Sequence, residues 1–398
     1  MITNGGYGLD KRLIWIVLDS CGIGAAPDAA DYGEADVQSN TIAHVAEAVG
    51  GLRVPNLERL GLGRIAPIKG VAPVGVGGYG TMVERSAGKD TTNGHLEFVG
   101  IVLSQPMPTY PNGFPPEIIE PFERYVGKPV LCNRPASGTW VIEAYGREHL
   151  ETGRPIVYTS ADSVFQVAAH EDVVPVETLY DWCEYARSIL VGPHAVGRVI
   201  ARPFVGEPGR FVRTDRRRDY SLDFGPTVLD GIEAAGYPVV GIGKIADIYN
   251  HRGITRAVHT VDNRDGMQKL VEAMDSETSG LIYANLVDFD SKYGHRNDPV
   301  GFARAIEAFD ADLEGVLSRL RPGDLLVITA DHGCDPTVPG TDHTRERVPI
   351  LAYHVNMAQP VELGERDTFA DLGATVAEYF DVPLPPVGRS FLRDLRLA

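Results

Sequence analysis

Four short, mainly apolar runs in this chain each end abruptly at polar residues. They cover residues 13–18, 239–242, 281–287 and 325–329. An unbroken apolar run is typical of a strand buried on both faces, as in a parallel sheet. Residues 300–320 and 369–380 instead carry apolar side chains at helical spacing. This alternation predicts an α/β fold in which helices flank a mainly parallel sheet.

The middle of the chain has a different composition. Residues 103–221 begin with many prolines and aromatic side chains and continue with short strand patterns at 155–159 and 196–205. We predict that this segment is an inserted α+β domain, which splits a core domain made of 1–102 and 222–398.

Composition limits the partners and the compartment. The 398 residues include 54 acidic and 37 basic side chains, for a formal net charge of -17, which disfavours nucleic acid and anionic membranes. The four cysteines lie far apart without CxxC spacing, as expected in a reducing compartment. We therefore expect a cytoplasmic protein; the sequence does not predict its oligomeric state.

The polar residues after the apolar runs form a set of potential metal ligands. Carboxylates and imidazoles without a thiolate suit Mn²⁺ or Zn²⁺ better than calcium or copper(I). Because the carboxyl ends of parallel strands share one edge of a sheet, we expect the set to converge there. Its members are Asp19, Asp290, His295, Asp331, His332 and His343. Spacing alone leaves Asp288 as an alternative to Asp290.

A second candidate segment is Gly88–His95, which contains two adjacent threonines. Metal contact is one way to activate a hydroxyl as a nucleophile, and both Thr91 and Thr92 are candidates. A cluster of seven arginines between Arg198 and Arg218 supplies the planar donors that bind phosphate. The glycine pattern at 75–80 is not interpreted as a dinucleotide site, because no helical pattern follows it.

Several motifs resemble the phosphopentomutase family of the alkaline phosphatase superfamily. They are Asp19-Ser-Cys-Gly-Ile-Gly-Ala, Ser39-Asn-Thr, Gly88-Lys-Asp-Thr, Tyr158-Thr-Ser-Ala-Asp-Ser-Val-Phe-Gln, Arg198-Val-Ile-Ala-Arg-Pro-Phe and Thr329-Ala-Asp-His-Gly-Cys-Asp-Pro-Thr. The resemblance implies an alkaline-phosphatase-like core, and it implies that the insertion is a cap domain.

The resemblance also implies roles for individual residues. It implies two Mn²⁺ ions per chain, one held by Asp290, His295 and His343 and the other by Asp19, Asp331 and His332. It implies that Thr91 carries the phosphoryl group. The implied sugar-phosphate contacts are Ser160, Asp162, Val164, Arg198, Arg213 and Lys244, with Arg202 equally well placed on its strand.

The implied activity is the interconversion of ribose 1-phosphate, or 2-deoxyribose 1-phosphate, with the 5-phosphate. The reaction would proceed through a phosphothreonine on the enzyme and a sugar bisphosphate intermediate. Glucose 1,6-bisphosphate or ribose 1,5-bisphosphate would first phosphorylate the enzyme. The alternatives are a metal-dependent phosphomonoesterase, a mutase acting on another sugar phosphate, and a non-catalytic sensor of sugar phosphates. Asn93 and Leu96 depart from the family's usual Thr-Gly-His-Trp-Glu pattern, which leaves the sugar open.

Overall fold

The computed structural model describes residues 11–160 and 163–395. Its strands are β1 (Arg12–Leu18), β2 (Gly78–Met82), β3 (Leu131–Pro135), β4 (Ile156–Thr159), β5 (Val164–His170), β6 (Arg198–Val205), β7 (Val212–Arg213), β8 (Arg218–Ser221), β9 (Val239–Ile242), β10 (Arg256–Val258), β11 (Gly280–Leu286), β12 (Leu325–Thr329), β13 (Val348–Tyr353) and β14 (Val361–Arg366). Its α-helices are α1 (Glu34–Gln38), α2 (Thr41–Ala48), α3 (Pro55–Leu60), α4 (Leu62–Ile65), α5 (Thr91–Phe98), α6 (Pro116–Val126), α7 (Gly138–Thr152), α8 (Val176–Ile189), α9 (Val228–Ala234), α10 (Ile245–Ile248), α11 (Asn263–Ser276), α12 (Pro299–Leu317) and α13 (Ala370–Phe380).

Contacts within the chain divide it into two compact units. The core unit consists of residues up to Gln105 together with those from Gly225 onward, and the insert unit is Pro106–Phe224. Among the described residues, no helix combines the length and the apolar character needed to cross a bilayer.

The core unit contains an eight-stranded sheet in the order β10-β9-β11-β1-β12-β13-β2-β14. The first five strands in this order are parallel, and β13 runs antiparallel to both of its neighbours. Every residue of β1 is buried, which explains its unbroken apolar run. The predicted α/β class with a mainly parallel sheet is confirmed, and the glycines at 75–80 lead into strand β2 rather than into a helix.

Three of the parallel strands end level with one another. Leu18 of β1 pairs with Leu286 of β11, and Val17 pairs with Thr329 of β12. The next residue, Asp19, donates its backbone N–H to the carbonyl of Leu286 at 3.2 Å. The polar residues that follow these strands therefore leave the sheet at one edge.

The insert unit has its own six-stranded sheet, in the order β3-β4-β5-β6-β7 with β8 also paired to β6. Apolar side chains form a separate core on each face of this sheet. One core packs Phe165 and Val199 with residues of α6 and α8, and the other packs Tyr158 and Phe204 with residues of α7.

Candidate active site

Asp19, Asp331 and His332 converge at the edge where β1 and β12 end, and we call them the inner cluster. One ligand atom from each lies within 4.8 Å of the others, and all three side chains are buried. His332 Nε2 lies 3.3 Å from Asp19 Oδ1 and 3.7 Å from Asp331 Oδ2. Asp331 Oδ2 is buried and accepts no well-aligned hydrogen bond in the described chain, although His95 Nδ1 lies 3.2 Å away, so this oxygen can accept a further ligand.

Asp290, His295 and His343 form a second group with the same spacing, which we call the outer cluster. Both imidazoles point at one oxygen, because Nε2 of His343 and Nε2 of His295 lie 3.1 and 3.2 Å from Asp290 Oδ1. This cluster is less enclosed than the inner one, since the His295 side chain is 30% exposed.

Ser20 connects the two clusters. Its hydroxyl donates to Asp290 Oδ1 at 2.9 Å and lies 3.4 Å from His332 Nδ1. The backbone of Ser20 has a φ of 74°, a conformation uncommon for residues other than glycine. The rings of His332 and His343 lie 4.1 Å apart between centroids. The two clusters are therefore adjacent, and the six predicted ligands lie together.

Neighbouring groups shift the pKa values of Asp290 in the outer cluster and His332 in the inner cluster. Burial alone would raise the pKa of Asp290, but the hydrogen bond and charge of His343 outweigh it and hold that pKa below its ordinary value. Burial alone would lower the pKa of His332, but the charges of Asp331 and Asp19 raise it well above its ordinary value. A divalent cation in the inner cluster would take the place of the positive charge that the raised pKa of His332 favours there.

Thr91 is the first residue of α5 and faces the inner cluster. Its hydroxyl lies 3.1 Å from His332 Nε2 and 3.5 Å from Asp19 Oδ1. The helix begins there because the Asp90 side chain accepts the backbone N–H groups of Thr92 and Asn93. The end of the helix thus presents a hydroxyl to the predicted metal ligands.

The two departures from the family pattern are both buried. Asn93 is 1% exposed and donates its side-chain amide to Asp90 Oδ2 at 3.1 Å, while Leu96 is 2% exposed. The amide of Asn93 also packs on Gly88, where an added Cβ would lie 1.6 Å from Nδ2. Asn93 therefore shapes the start of α5.

Asp288, the alternative to Asp290, faces away from the clusters. Its carboxylate accepts the backbone N–H of Asn263 and the ammonium group of Lys292, each at 3.0 Å. The π-helical turn Phe289–Tyr293 separates the directions of the two carboxylates. Of the two candidates, the structure places Asp290 among the imidazoles.

Four of the predicted sugar-phosphate contacts share one face of the insert sheet. Val164 pairs with Arg198, and Arg202 lies four residues further along the same strand. Arg213 pairs with Phe204, two residues beyond Arg202, so the even spacing projects all four side chains to the same side. Tyr158 projects there too, and its buried hydroxyl has no hydrogen-bond partner in the described chain.

The other predicted contacts are distributed differently. Ser160 follows β4 in the insert unit, whereas Lys244 is exposed at the start of α10 in the core unit, directly after β9. Asp162 lies outside the described residues.

Two further residues that contact the inner cluster were not identified from the sequence. Asn285, inside the buried strand β11, donates to Asp19 Oδ2 at 3.1 Å. His95, on α5, lies 3.2 Å from Asp331 Oδ2 through Nδ1, which also contacts the carbonyl of Thr91 at 2.8 Å. A polar side chain in an apolar strand was the signal for Asn285, and four-residue helical spacing from Thr91 was the signal for His95.

Comparison with known proteins identifies a family and several similar proteins. The family model of the metalloenzyme superfamily matches residues 11–384 of this chain. A phosphopentomutase of Caldanaerobacter subterraneus subsp. tengcongensis is 57% identical over 390 residues, covering 97% of this chain and 98% of the relative. A phosphopentomutase of Clostridium novyi is 55% identical over 389 residues, covering 97% and 99%. A solved structure of Leishmania mexicana phosphoglycerate mutase is 11% identical with a TM-score of 0.45, covering 97% and 98%.

Proposed function

Because this chain belongs to the phosphopentomutase family of the metalloenzyme superfamily, we propose that it moves a phosphoryl group between two oxygens of one pentose phosphate by way of Thr91. The chain is thus a metal-dependent isomerase of the phosphomutase type. The observation that carries the role of Thr91 is the 3.1 Å separation between its hydroxyl and His332 Nε2, inside a set of six ligand-type side chains.

The donor set fits two divalent cations. Each cluster offers three converging oxygen and nitrogen atoms, and the buried Asp331 Oδ2 accepts no well-aligned hydrogen bond in the described chain. We assign one Mn²⁺ to Asp290, His295 and His343 and the other to Asp19, Asp331 and His332. When bound, such ions neutralise phosphoryl oxygens and ease the departure of a threonyl alkoxide.

The charges of this arrangement suit a phosphothreonine. Two divalent cations and three aspartates sum to about +1, and a phosphorylated threonine brings up to about -2. The sum with the phosphoryl group in place is therefore close to -1. A phosphothreonine is therefore well tolerated beside two such ions.

The reaction needs two transfers through the same oxygen. In the first transfer, the bond between phosphorus and Thr91 Oγ1 breaks as a bond forms between phosphorus and the C1 hydroxyl oxygen of ribose 5-phosphate. The proton lost by that hydroxyl goes to Oγ1. The bisphosphate then presents its other phosphate to Thr91, and the reverse exchange releases ribose 1-phosphate. A sugar bisphosphate, such as glucose 1,6-bisphosphate, phosphorylates Thr91 at the outset.

Side chains of the insert unit and of α10 are proposed to bind the substrate. Arg198, Arg202 and Arg213 offer planar donors from one sheet face, and they would hold the phosphate that is not being transferred. Lys244 is proposed to bind phosphate through its charge, as the family resemblance implies. Ser160, Asp162 and Val164 would contact the pentose, ribose or 2-deoxyribose.

Phosphorus NMR tests the proposal. The protein is incubated with Mn²⁺, ribose 5-phosphate and a catalytic amount of glucose 1,6-bisphosphate, and intact mass follows the protein. We expect a ribose 1-phosphate signal and one added phosphoryl group on the chain. Release of inorganic phosphate without any 1-phosphate would instead establish a phosphomonoesterase.

A further inference from the structure

A single buried arginine holds the loop that precedes the proposed nucleophile. Arg345 has a side chain only 2% exposed, and residues 84–90 form the segment before Thr91, which we call the nucleophile loop. The Arg345 guanidinium donates to three alternate carbonyls of this loop, those of Glu84, Ser86 and Gly88. One side chain therefore fixes the path of the loop along most of its length.

Carboxylates balance the charge of this guanidinium. Glu84 accepts from Nη1 at 2.7 Å, and Asp28 accepts from Nε and Nη2 at 3.1 and 2.8 Å. The ring of Tyr32 lies 4.8 Å from the guanidinium carbon, and its hydroxyl accepts the backbone N–H of Gly88. All of the guanidinium nitrogens are thus engaged. Lysine has a single nitrogen with three donors and could not span these partners.

Arg345 also connects the loop to the outer cluster. It lies two residues after His343, and its backbone N–H donates to Asp36 Oδ1 at 2.7 Å. The same Asp36 carboxylate accepts the ammonium group of Lys89, two residues before Thr91, at 3.1 Å. The segment that carries His343 is therefore connected to the nucleophile loop twice, directly through the Arg345 guanidinium and through Asp36 to Lys89.

We propose that Arg345 is a positioning residue for phosphoryl transfer, which holds the nucleophile loop so that Thr91 Oγ1 stays beside His332 Nε2. The inference rests on the proposed function of Thr91. Transfer requires the reacting atoms to be aligned, and a displacement of about 1 Å can reduce the rate about a hundredfold. Arg345 touches neither the six ligand side chains nor the threonine hydroxyl in the described contacts, so it acts through the backbone of the loop.

Arg12 provides a matched control. It is also fully buried, pairs with Asp324, and donates to the carbonyls of Met274, Glu277 and Arg319. It lies at the start of β1, whereas Asp19 follows the end of that strand. Arg12→Lys therefore removes a comparably buried guanidinium group that has no contact with the nucleophile loop in the described chain.

The test compares R345K with R12K in the Mn²⁺-loaded protein. Steady-state kinetics with ribose 5-phosphate give kcat and KM, and intact mass gives the rate at which glucose 1,6-bisphosphate phosphorylates Thr91. We expect R345K to lower kcat and the phosphorylation rate by about ten- to a hundredfold, with KM and Mn²⁺ content near the wild-type values. We expect R12K to lower Tm and to keep kcat within about twofold of wild type.

A milder variant keeps the test decisive if R345K does not fold. Asp28 is 40% exposed and contacts only one side of the guanidinium, so D28N should fold and should lower the phosphorylation rate in the same direction. Wild-type phosphorylation rates in folded R345K or D28N, or an equal loss in R12K, would overturn the positioning role alone. Absence of turnover in the wild-type protein would overturn the proposed function and the positioning role with it.

Discussion

The hydroxyl of Thr91 lies 3.1 Å from His332 Nε2, so the start of α5 meets the inner cluster directly. Thr92 is the next residue around the helix, and successive helical side chains point about 100° apart. Its backbone N–H is used by the Asp90 cap. The geometry therefore distinguishes two threonines that the residue pattern alone left equivalent, and it favours Thr91, the residue that the family resemblance implied.

Thr91→Ala is expected to abolish phosphorylation of the protein and mutase turnover, because the accepting oxygen is removed. Thr92→Ala keeps that oxygen and the cap, and it should retain most of the activity. Intact mass after incubation with glucose 1,6-bisphosphate measures the added phosphoryl group in each variant. The reverse pattern, with T92A inactive and T91A phosphorylated, would show that the nucleophile is misassigned.

The two clusters should release their ions at different rates. The inner ligands have side-chain exposures of 1% or less, whereas His295 in the outer cluster is 30% exposed. We expect native mass spectrometry during chelation to show one fast and one slow loss of Mn²⁺, and His295→Ala to remove the fast phase. A fast phase that survives in H295A would contradict this order.

Metal binding should release protons and weaken as the pH falls. Asp331 and Asp19 raise the pKa of His332 despite its burial, so the imidazolium stabilises the metal-free protein below the ordinary pKa, and this stabilisation is lost as the pH rises through the raised pKa. Only the neutral imidazole binds a metal ion, and binding below the raised pKa displaces a proton. Calorimetric titration with Mn²⁺ in two buffers of different ionisation enthalpy measures this release; identical heats would contradict it.

Gly88→Ala should disturb the start of α5. The added Cβ would lie 1.6 Å from Asn93 Nδ2 and 2.6 Å from its Cγ, and Asn93 is buried, so overpacking should lower stability by about 1 to 3 kcal/mol. The double variant G88A/N93A removes the clash, and its loss should be smaller than the sum of the two single losses. Chemical denaturation of all three variants measures this coupling, and strict additivity would show that the two residues do not compete for space.

Arginines on the shared sheet face of the insert unit should control substrate affinity. Removing Arg202 or Arg213 deletes a charge-assisted contact of about 1.5 to 3 kcal/mol, which raises KM by about ten- to a hundredfold. Arg216 is a matched control, because it pairs with Glu171 at 2.9 Å and is not a predicted contact. Steady-state kinetics of R202A, R213A and R216A decide the assignment; an increase in KM confined to R216A would exclude it.

The sequence was sufficient for the parts of the structure that depend on local patterns. The runs at 239–242 and 325–329 coincide with β9 and β12, because strands buried on both faces are continuously apolar. The convergence of Asp19 with Asp331 followed from the shared edge of parallel strands. Family motifs predicted the phosphopentomutase activity, and the family assignment is confirmed.

The remaining features depend on contacts between distant parts of the chain. Nothing in the local sequence separates Asp288 from Asp290, because only the π-helical turn and Asn263 determine which carboxylate faces the imidazoles. Arg345 resembles any arginine of a connecting segment until the fold brings residues 84–88 around it. Short strands such as β7, with two residues, carry too little pattern to be recognised.

Crystallography with Mn²⁺ tests the central claim most directly, since anomalous scattering locates the ions without reference to the protein. The account predicts two manganese peaks, one among Asp19, Asp331 and His332 and the other among Asp290, His295 and His343, with phosphoryl density on Thr91 after treatment with glucose 1,6-bisphosphate. Manganese bound elsewhere, or a phosphoryl group on another side chain, would contradict it.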